Sequence, residues 1–200
     1  MKEKLKKLDV LESMWKTCHG CDLNICRKRV VTWRGSPGGR IFLIGEGPGA
    51  DEDQQGIPFV GMAGRKLDDL MVEAGINVTD EVFIANMVGC RPPDNRQPKP
   101  EEICACRPRL EAMLWIVQPK VVVLLGLTAA KLAGITAIKR WRGHPTEMEL
   151  NMYNGETAKW PAIPTFHPSY LNRSGDNAEI HAQIVGDLKL AKDMAYAHKA

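Results

Sequence analysis

Nowhere in the sequence do eighteen apolar residues follow one another, so no membrane-spanning helix is expected. The basic stretch at residues 1–16 lacks the unbroken apolar core and small-residue cleavage site of a secretory signal. A soluble, cytoplasmic protein follows as the expectation, with no membrane partner and a monomeric state. Internal repeats and low-complexity tracts are also missing, which leaves no sign of a solenoid or a disordered linker. Net charge is only +3 over 200 residues, too mild to argue for nucleic acid by itself. What is present suits one ordinary globular domain over residues 1–200: 44% of residues are hydrophobic and 26% charged. In a reducing compartment the six cysteines read as metal ligands, catalytic thiols or buried fillers rather than disulfides.

Leu5, Leu8, Leu11, Met14 and Trp15 recur every three or four residues, which predicts an amphipathic helix over 2–16. Short apolar runs at 41–44, 82–85 and 121–125 carry the mark of strands buried on both faces. A weaker run at 163–166 contains a proline, which suggests a strand end or an edge. Helical patterns fall at about 63–74, 100–117, 127–133 and 178–198. Strands alternating with helices predict a parallel sheet wrapped on both faces, a three-layer α/β/α sandwich. Ligands bind such sheets where strands give way to loops, and the most unusual residues of this chain sit at those ends.

Cys18 and Cys21 form a C-x2-C pair, and Cys90 and Cys106 enclose a fifteen-residue spacer. Four such thiolates suit zinc or a [4Fe–4S] cluster, and spacing does not decide between them. Cys104 points about 200° away from Cys106 on a helix, and Cys26 is an alternative ligand. The loop after the first strand reads Gly45-Glu46-Gly47-Pro48-Gly49-Ala50-Asp51-Glu52-Asp53. It is neither G-x-G-x-x-G nor a Walker loop, and its acidic groups suit no polyphosphate. Its glycines point instead to a close approach by a sugar or a base. Phe59, in a Gly/Pro frame, is either a stacking platform or a core aromatic. Asn86 at the second strand's end offers a donor and an acceptor to a base edge, or forms a turn. His167, held by Pro168, closes the fourth strand. Basic clusters at Arg27, Lys28, Arg29 and Arg34, and at residues 139–142, are either phosphate contacts or solvated charge.

Taken in this order and spacing, the loop at 45–53, the segment from Gly56 to Gly64, Asn86 with Cys90-Arg91-Pro92, Cys106-Arg107-Pro108 and His167-Pro168-Ser169-Tyr170-Leu171 resemble the family 4 uracil-DNA glycosylases. The resemblance runs from Cys18 to the last helix. It implies a four-stranded parallel sheet and a structural [4Fe–4S] cluster on Cys18, Cys21, Cys90 and Cys106, with Cys26 and Cys104 as bystanders. Two positions depart from the family: Ala50 stands where a glutamate is usual, and Gly47 where alanine is common. The basic, His-containing loop of the related covalent-trapping branch is missing, since Arg96 leads directly through Pro100 into a helix.

The implied activity is hydrolysis of the N-glycosidic bond of deoxyuridine in single- or double-stranded DNA. Phe59 would stack on an extruded uracil, and Asn86 would read N3–H and O4. His167 would donate to O2, while Glu46 and Glu52, with the Gly47 backbone, would place a water. Residues 167–173 are the expected intercalation loop, with Ser169 at the substrate, Leu171 as wedge and Arg173 on a phosphate. Two alternatives stand beside this reading: a glycosylase for hypoxanthine or xanthine, and a non-catalytic iron–sulfur DNA-binding module.

Overall fold

The structure, a computed structural model, describes residues 1–152 and 155–197. Its centre is a six-stranded sheet in the order β1-β3-β2-β4-β6-β5. The strands are β1 (Arg34–Gly35), β2 (Ile41–Gly45), β3 (Val82–Asn86), β4 (Val121–Leu125), β5 (Thr146–Asn151) and β6 (Thr157–Thr165). The inner four, β3, β2, β4 and β6, run parallel; β1 and β5 add antiparallel edges. The expected four-stranded sheet is therefore the parallel core of a larger mixed one. Of the two readings its proline allowed, the strand end holds and the edge does not: Pro164 is the penultimate residue of β6, which lies between β4 and β5 and extends to nine residues. Its partner β5 alternates exposed Glu147 and Glu149 with buried Met148 and Leu150, the period-two signature of a half-buried strand.

The inner strands are wholly buried, and successive side chains feed opposite layers. Ile41, Leu43, Ile84 and Val123 meet α3 (Met62–Glu73), α7 (Pro168–Arg173) and α8 (Ala178–Tyr196) on one side. Phe42, Ile44, Phe83 and Val122 meet α1 (Lys2–Lys16) and α4 (Pro100–Val117) on the other, together with α5 (Gly126–Ala130). This is the three-layer sandwich. Position 198, included in the expected last helix, lies outside the described residues.

Two further short helices shape the site. α2 (Ala50–Gln55) follows the Gly-rich loop, and α6 (Ile138–Trp141) follows α5. The segment expected as an intercalation loop is the helix α7. Proline removes a backbone hydrogen bond from a helix interior but is welcome in a first turn, where no N–H is needed. Pro168 occupies that place, and the N-cap His167 accepts from the Ser169 N–H. No helix among the described residues is long and apolar enough to cross a membrane.

Candidate functional site: a strand-end cleft and a cysteine group

The C-terminal ends of β2, β3, β4 and β6 surround a cleft of about 730 Å³, lined by Glu46, Phe59, Asn86, Thr128 and His167 among others. One pocket thus gathers groups from separate strand ends.

Phe59 is held in a left-handed backbone conformation, φ 56°. That conformation costs a non-glycine residue roughly 1–2 kcal/mol, so the surroundings must enforce it. Two glycines make room. A Cβ on Gly64 would sit 1.9 Å from the Phe59 carbonyl oxygen; one on Gly45 would sit 2.5 Å from the Phe59 ring and 2.4 Å from Asn86 Oδ1. Glu52 supplies the clamp. Its buried carboxylate accepts from the N–H groups of Gly49 (3.1 Å), Val60 (2.9 Å) and Gly61 (2.8 Å). These oxygens hold the loop that carries Phe59, a structural duty that the sequence reading of Glu52 as a water-positioning acid did not include. Placing Glu52 needed the fold, because its partners stand up to nine residues away.

Glu46 also lines the cleft, beside Asp51 and Glu52, and accepts a hydrogen bond from the Thr128 hydroxyl of α5. Thr128 escaped the sequence reading; its only signal was a polar side chain just past the β4 run. Gly47 has a local reason as well. A Cβ there would lie 2.9 Å from a methyl of the fully buried Val88.

Asn86 ends β3 and is 2% exposed, yet its Oδ1 has no hydrogen-bond partner among the described residues. An unmade bond of this kind costs about 1–3 kcal/mol, which is unusual enough to need a reason. The acceptor belongs to a side chain lining the cleft, 2.4 Å from the ideal Cβ position that Gly45 leaves empty.

His167 lies across from Phe59, with ring centroids 5.8 Å apart. Its Nδ1 accepts from the Ser169 N–H at 3.1 Å and stands 2.8 Å from the Ser169 hydroxyl. An accepting Nδ1 leaves the proton of the neutral ring on Nε2. Burial pushes the imidazole pKa down to about 4, and the charge of Arg173 presses the same way. Arg173 also donates to the Ser169 hydroxyl at 3.0 Å. Guanidinium, hydroxyl and imidazole thus form one chain that holds His167 neutral with Nε2 as the donor. Leu171 departs from expectation. It is fully buried in the core beneath α7, and a wedge must be exposed. Helical spacing turns it inward, whereas Tyr170 and Arg173 face the cleft.

The basic clusters divide. Arg34 pairs with Asp68 (3.1 Å), Lys28 reaches Gln54 (2.8 Å) and Arg142 pairs with the buried Asp187 (Nε to Oδ2, 3.0 Å). Lys139 lies at the cleft rim. Arg27 is engaged elsewhere, at the cysteines.

Cys90 and Cys106 pack with Leu23 and Val88, and Cys21 lies against them. Burial raises the Cys21 thiol, and Cys106 and Cys18 raise it further; burial lifts Cys90 to about 11, with Cys106 and Cys21 adding to the effect. Cys18, Cys21, Cys90 and Cys106 are therefore electrostatic neighbours, although they come from three separate segments of the chain. Arg27 donates to Cys90 Sγ at 3.5 Å and to the Cys18 carbonyl at 2.6 Å. The Gly20 N–H donates to Cys18 Sγ at 3.4 Å. Cys26 and Cys104 are exposed, and Cys26 Sγ faces the Leu23 and Arg91 carbonyls instead. Among the described residues no three His, Cys, Asp or Glu side chains are arranged to hold a single metal ion.

Sequence comparison agrees with this geometry. The sequence model of the "Uracil DNA glycosylase superfamily" matches residues 32–189. The "Type-4 uracil-DNA glycosylase" of Thermotoga maritima is 40% identical over 191 residues, covering 92% of this chain and 93% of the relative. Its namesake from Archaeoglobus fulgidus is 36% identical over 193 residues, covering 92% and 94%. That of Sulfurisphaera tokodaii is 35% identical over 189 residues, covering 92% and 82%. With its strand ends, cleft and cysteine group in that register, the chain belongs to the uracil DNA glycosylase superfamily, alongside the type-4 enzymes.

Proposed function

We propose that this protein removes uracil from DNA by hydrolysing the bond between the base N1 and the sugar C1′, leaving an abasic site. The observation that carries the reading is the orphaned Asn86 acceptor, buried in a cleft that also holds Phe59 and His167. A base in a duplex is out of reach, so the nucleotide is extruded at a cost of roughly a few kcal/mol. Phe59 then stacks on the ring. Asn86 Oδ1 accepts from N3–H and its amide donates to O4. Cytosine presents an acceptor and a donor at those places, so it leaves buried groups mismatched.

As the C1′–N1 bond breaks, its electron pair passes to the base and collects chiefly at O2. The neutral His167 donates from Nε2 to O2 and stabilises the anion without giving up its proton, an effect worth roughly 3–4 kcal/mol. The sugar becomes cationic at C1′. Glu46, oriented by Thr128, favours that charge and directs a water to C1′; the water's proton leaves to the carboxylate or solvent, and uracil departs. Arg173, at the mouth, contacts a DNA phosphate.

Cys18, Cys21, Cys90 and Cys106 are the ligands proposed for a [4Fe–4S] cluster. The donor set fits: raised buried thiols, an N–H···S contact at Cys18, and Arg27 beside Cys90 suit a group that ionises the thiols and brings net negative charge. When bound, the cluster supplies iron–thiolate bonds that tie the N-terminal segment to the β3 loop and α4. No step of base removal passes through it.

The test is a labelled oligonucleotide with one uracil, incubated with protein and then heated in alkali. A single cut at the uracil is expected, with hypoxanthine and thymine controls intact. An uncut uracil strand overturns the reading.

A further inference from the structure

Arg109 is 1% exposed, among the most deeply buried side chains of the molecule, and no carboxylate pairs with it among the described residues. Nη2 donates to the Asn86 carbonyl at 2.6 Å, Nη1 to those of Thr32 at 3.1 Å and Val31 at 3.4 Å, and the guanidinium also faces the Cys106 side chain. Its Nε has no hydrogen-bond partner among the described residues. A buried cation without a counter-charge is expensive, and such groups are normally paired. The nearest groups that could carry a counter-charge are cysteines: Cys106, one turn earlier on α4, then Cys90 and Cys18, whose sulfurs would offset the guanidinium once ionised by the proposed cluster. Gly89 makes the approach possible, because a Cβ there would sit 3.3 Å from Arg109 Nε and Cζ.

One guanidinium therefore bonds the Asn86 main chain and stands beside Cys106 of the cysteine group. We infer that Arg109 is a positioning residue linking them: it balances the ionised cysteine centre on one side and fixes the Asn86 main chain, and so the base-reading amide, on the other. The link rests on the proposed cluster and on the proposed role of Asn86. Lysine at this position would keep the charge and lose the fork; glutamine would keep one donor and lose the charge.

The experiment uses the iron-loaded protein with Arg109→Lys and Arg109→Gln. Two quantities are measured: the reduction potential of the iron centre by voltammetry, and kcat and KM on uracil oligonucleotide. R109Q is expected to lower the potential, since a positive neighbour is lost, while R109K leaves it near wild type. Both variants are expected to lose about tenfold or more in kcat/KM for uracil, in the range of outer-shell substitutions. Should either variant fail to fold, the iron-loaded wild type still tests the link. Its Arg109 guanidinium proton signals should be shifted or broadened by the iron centre. Unshifted guanidinium signals, an unchanged R109Q potential, or wild-type kcat/KM in both variants overturns the link. An iron-free wild type, or full uracil cleavage by Asn86→Ala, would instead sink the underlying reading and the link with it.

Discussion

The base cleft and the cysteine centre are both left unsatisfied, but in opposite ways. In the cleft the strain is steric and the missing partner is a donor: Phe59 sits at φ 56°, and Asn86 Oδ1 has nothing to accept from among the described residues. At the cysteines the missing partner is negative charge: among the described residues Arg109 lacks a carboxylate, Arg27 contacts Cys90, and burial raises the thiols of Cys21 and Cys90. On the proposed reading a neutral planar base with an N–H would complete the first region. An iron–sulfur core that binds the cysteines as thiolates, leaving the assembly net negative, would complete the second. Each incompleteness states the chemistry of its ligand, and one helix, α4, touches the second centre while reaching the first.

If the two regions differ in this way, breaking them should have different consequences. The largest effect belongs to the cysteines. Cys90→Ser should bleach a brown protein and impair folding, read by visible absorbance and far-UV circular dichroism; the cleft residues, by contrast, should tolerate substitution with the fold intact. His167→Ala comes next, lowering the single-turnover rate by about a hundredfold or more, with the fold kept and only the few degrees of melting temperature that loss of the α7 cap costs. The pH dependence sharpens this point. Because the folded His167 pKa is pushed down to about 4, below its ordinary 6.5, the ring stays neutral through pH 5–8. No inflection near 6.5 from this residue is expected in the rate, and 15N NMR should show a neutral ring protonated at Nε2. The same depression means the unfolded chain takes up this proton first, so the contribution to stability is lost as pH falls from 6.5 towards 4. Asn86→Asp should erode preference for uracil over cytosine, measured as the ratio of cleavage rates on matched strands. The smallest effect is that of Thr128→Val, about fivefold in kcat with KM unchanged, the loss of one hydrogen bond on Glu46.

The parallel core was legible because strands buried on both faces must be continuously apolar, and residues 41–44, 82–85 and 121–125 are. β1 and β5 were not. β1 has two residues, and β5 alternates Glu147 and Glu149 with its buried side chains. In the site, Phe59, Asn86 and His167 announced themselves by position, each just beyond a strand or in a glycine frame. Glu52 was legible only in part and Leu171 misled, for one shared reason. A carboxylate in a Gly-rich loop and a leucine after a His-Pro look reactive or exposed in one dimension, and only three dimensions reveal three waiting N–H groups around the first and a packed core around the second. Arg109 carried no sequence signal beyond standing one turn after Cys106, since its partners are carbonyls contributed by β3 and by the segment before β1.

The convergence of two side chains on a single pyrimidine is open to direct measurement by NMR. In a titration of 15N-labelled protein with free uracil, the Asn86 side-chain amide and the His167 Nε2–H should shift together along one binding curve, with cytosine moving neither. Uracil that moves only one of them, or cytosine that moves both equally, would contradict a shared pocket.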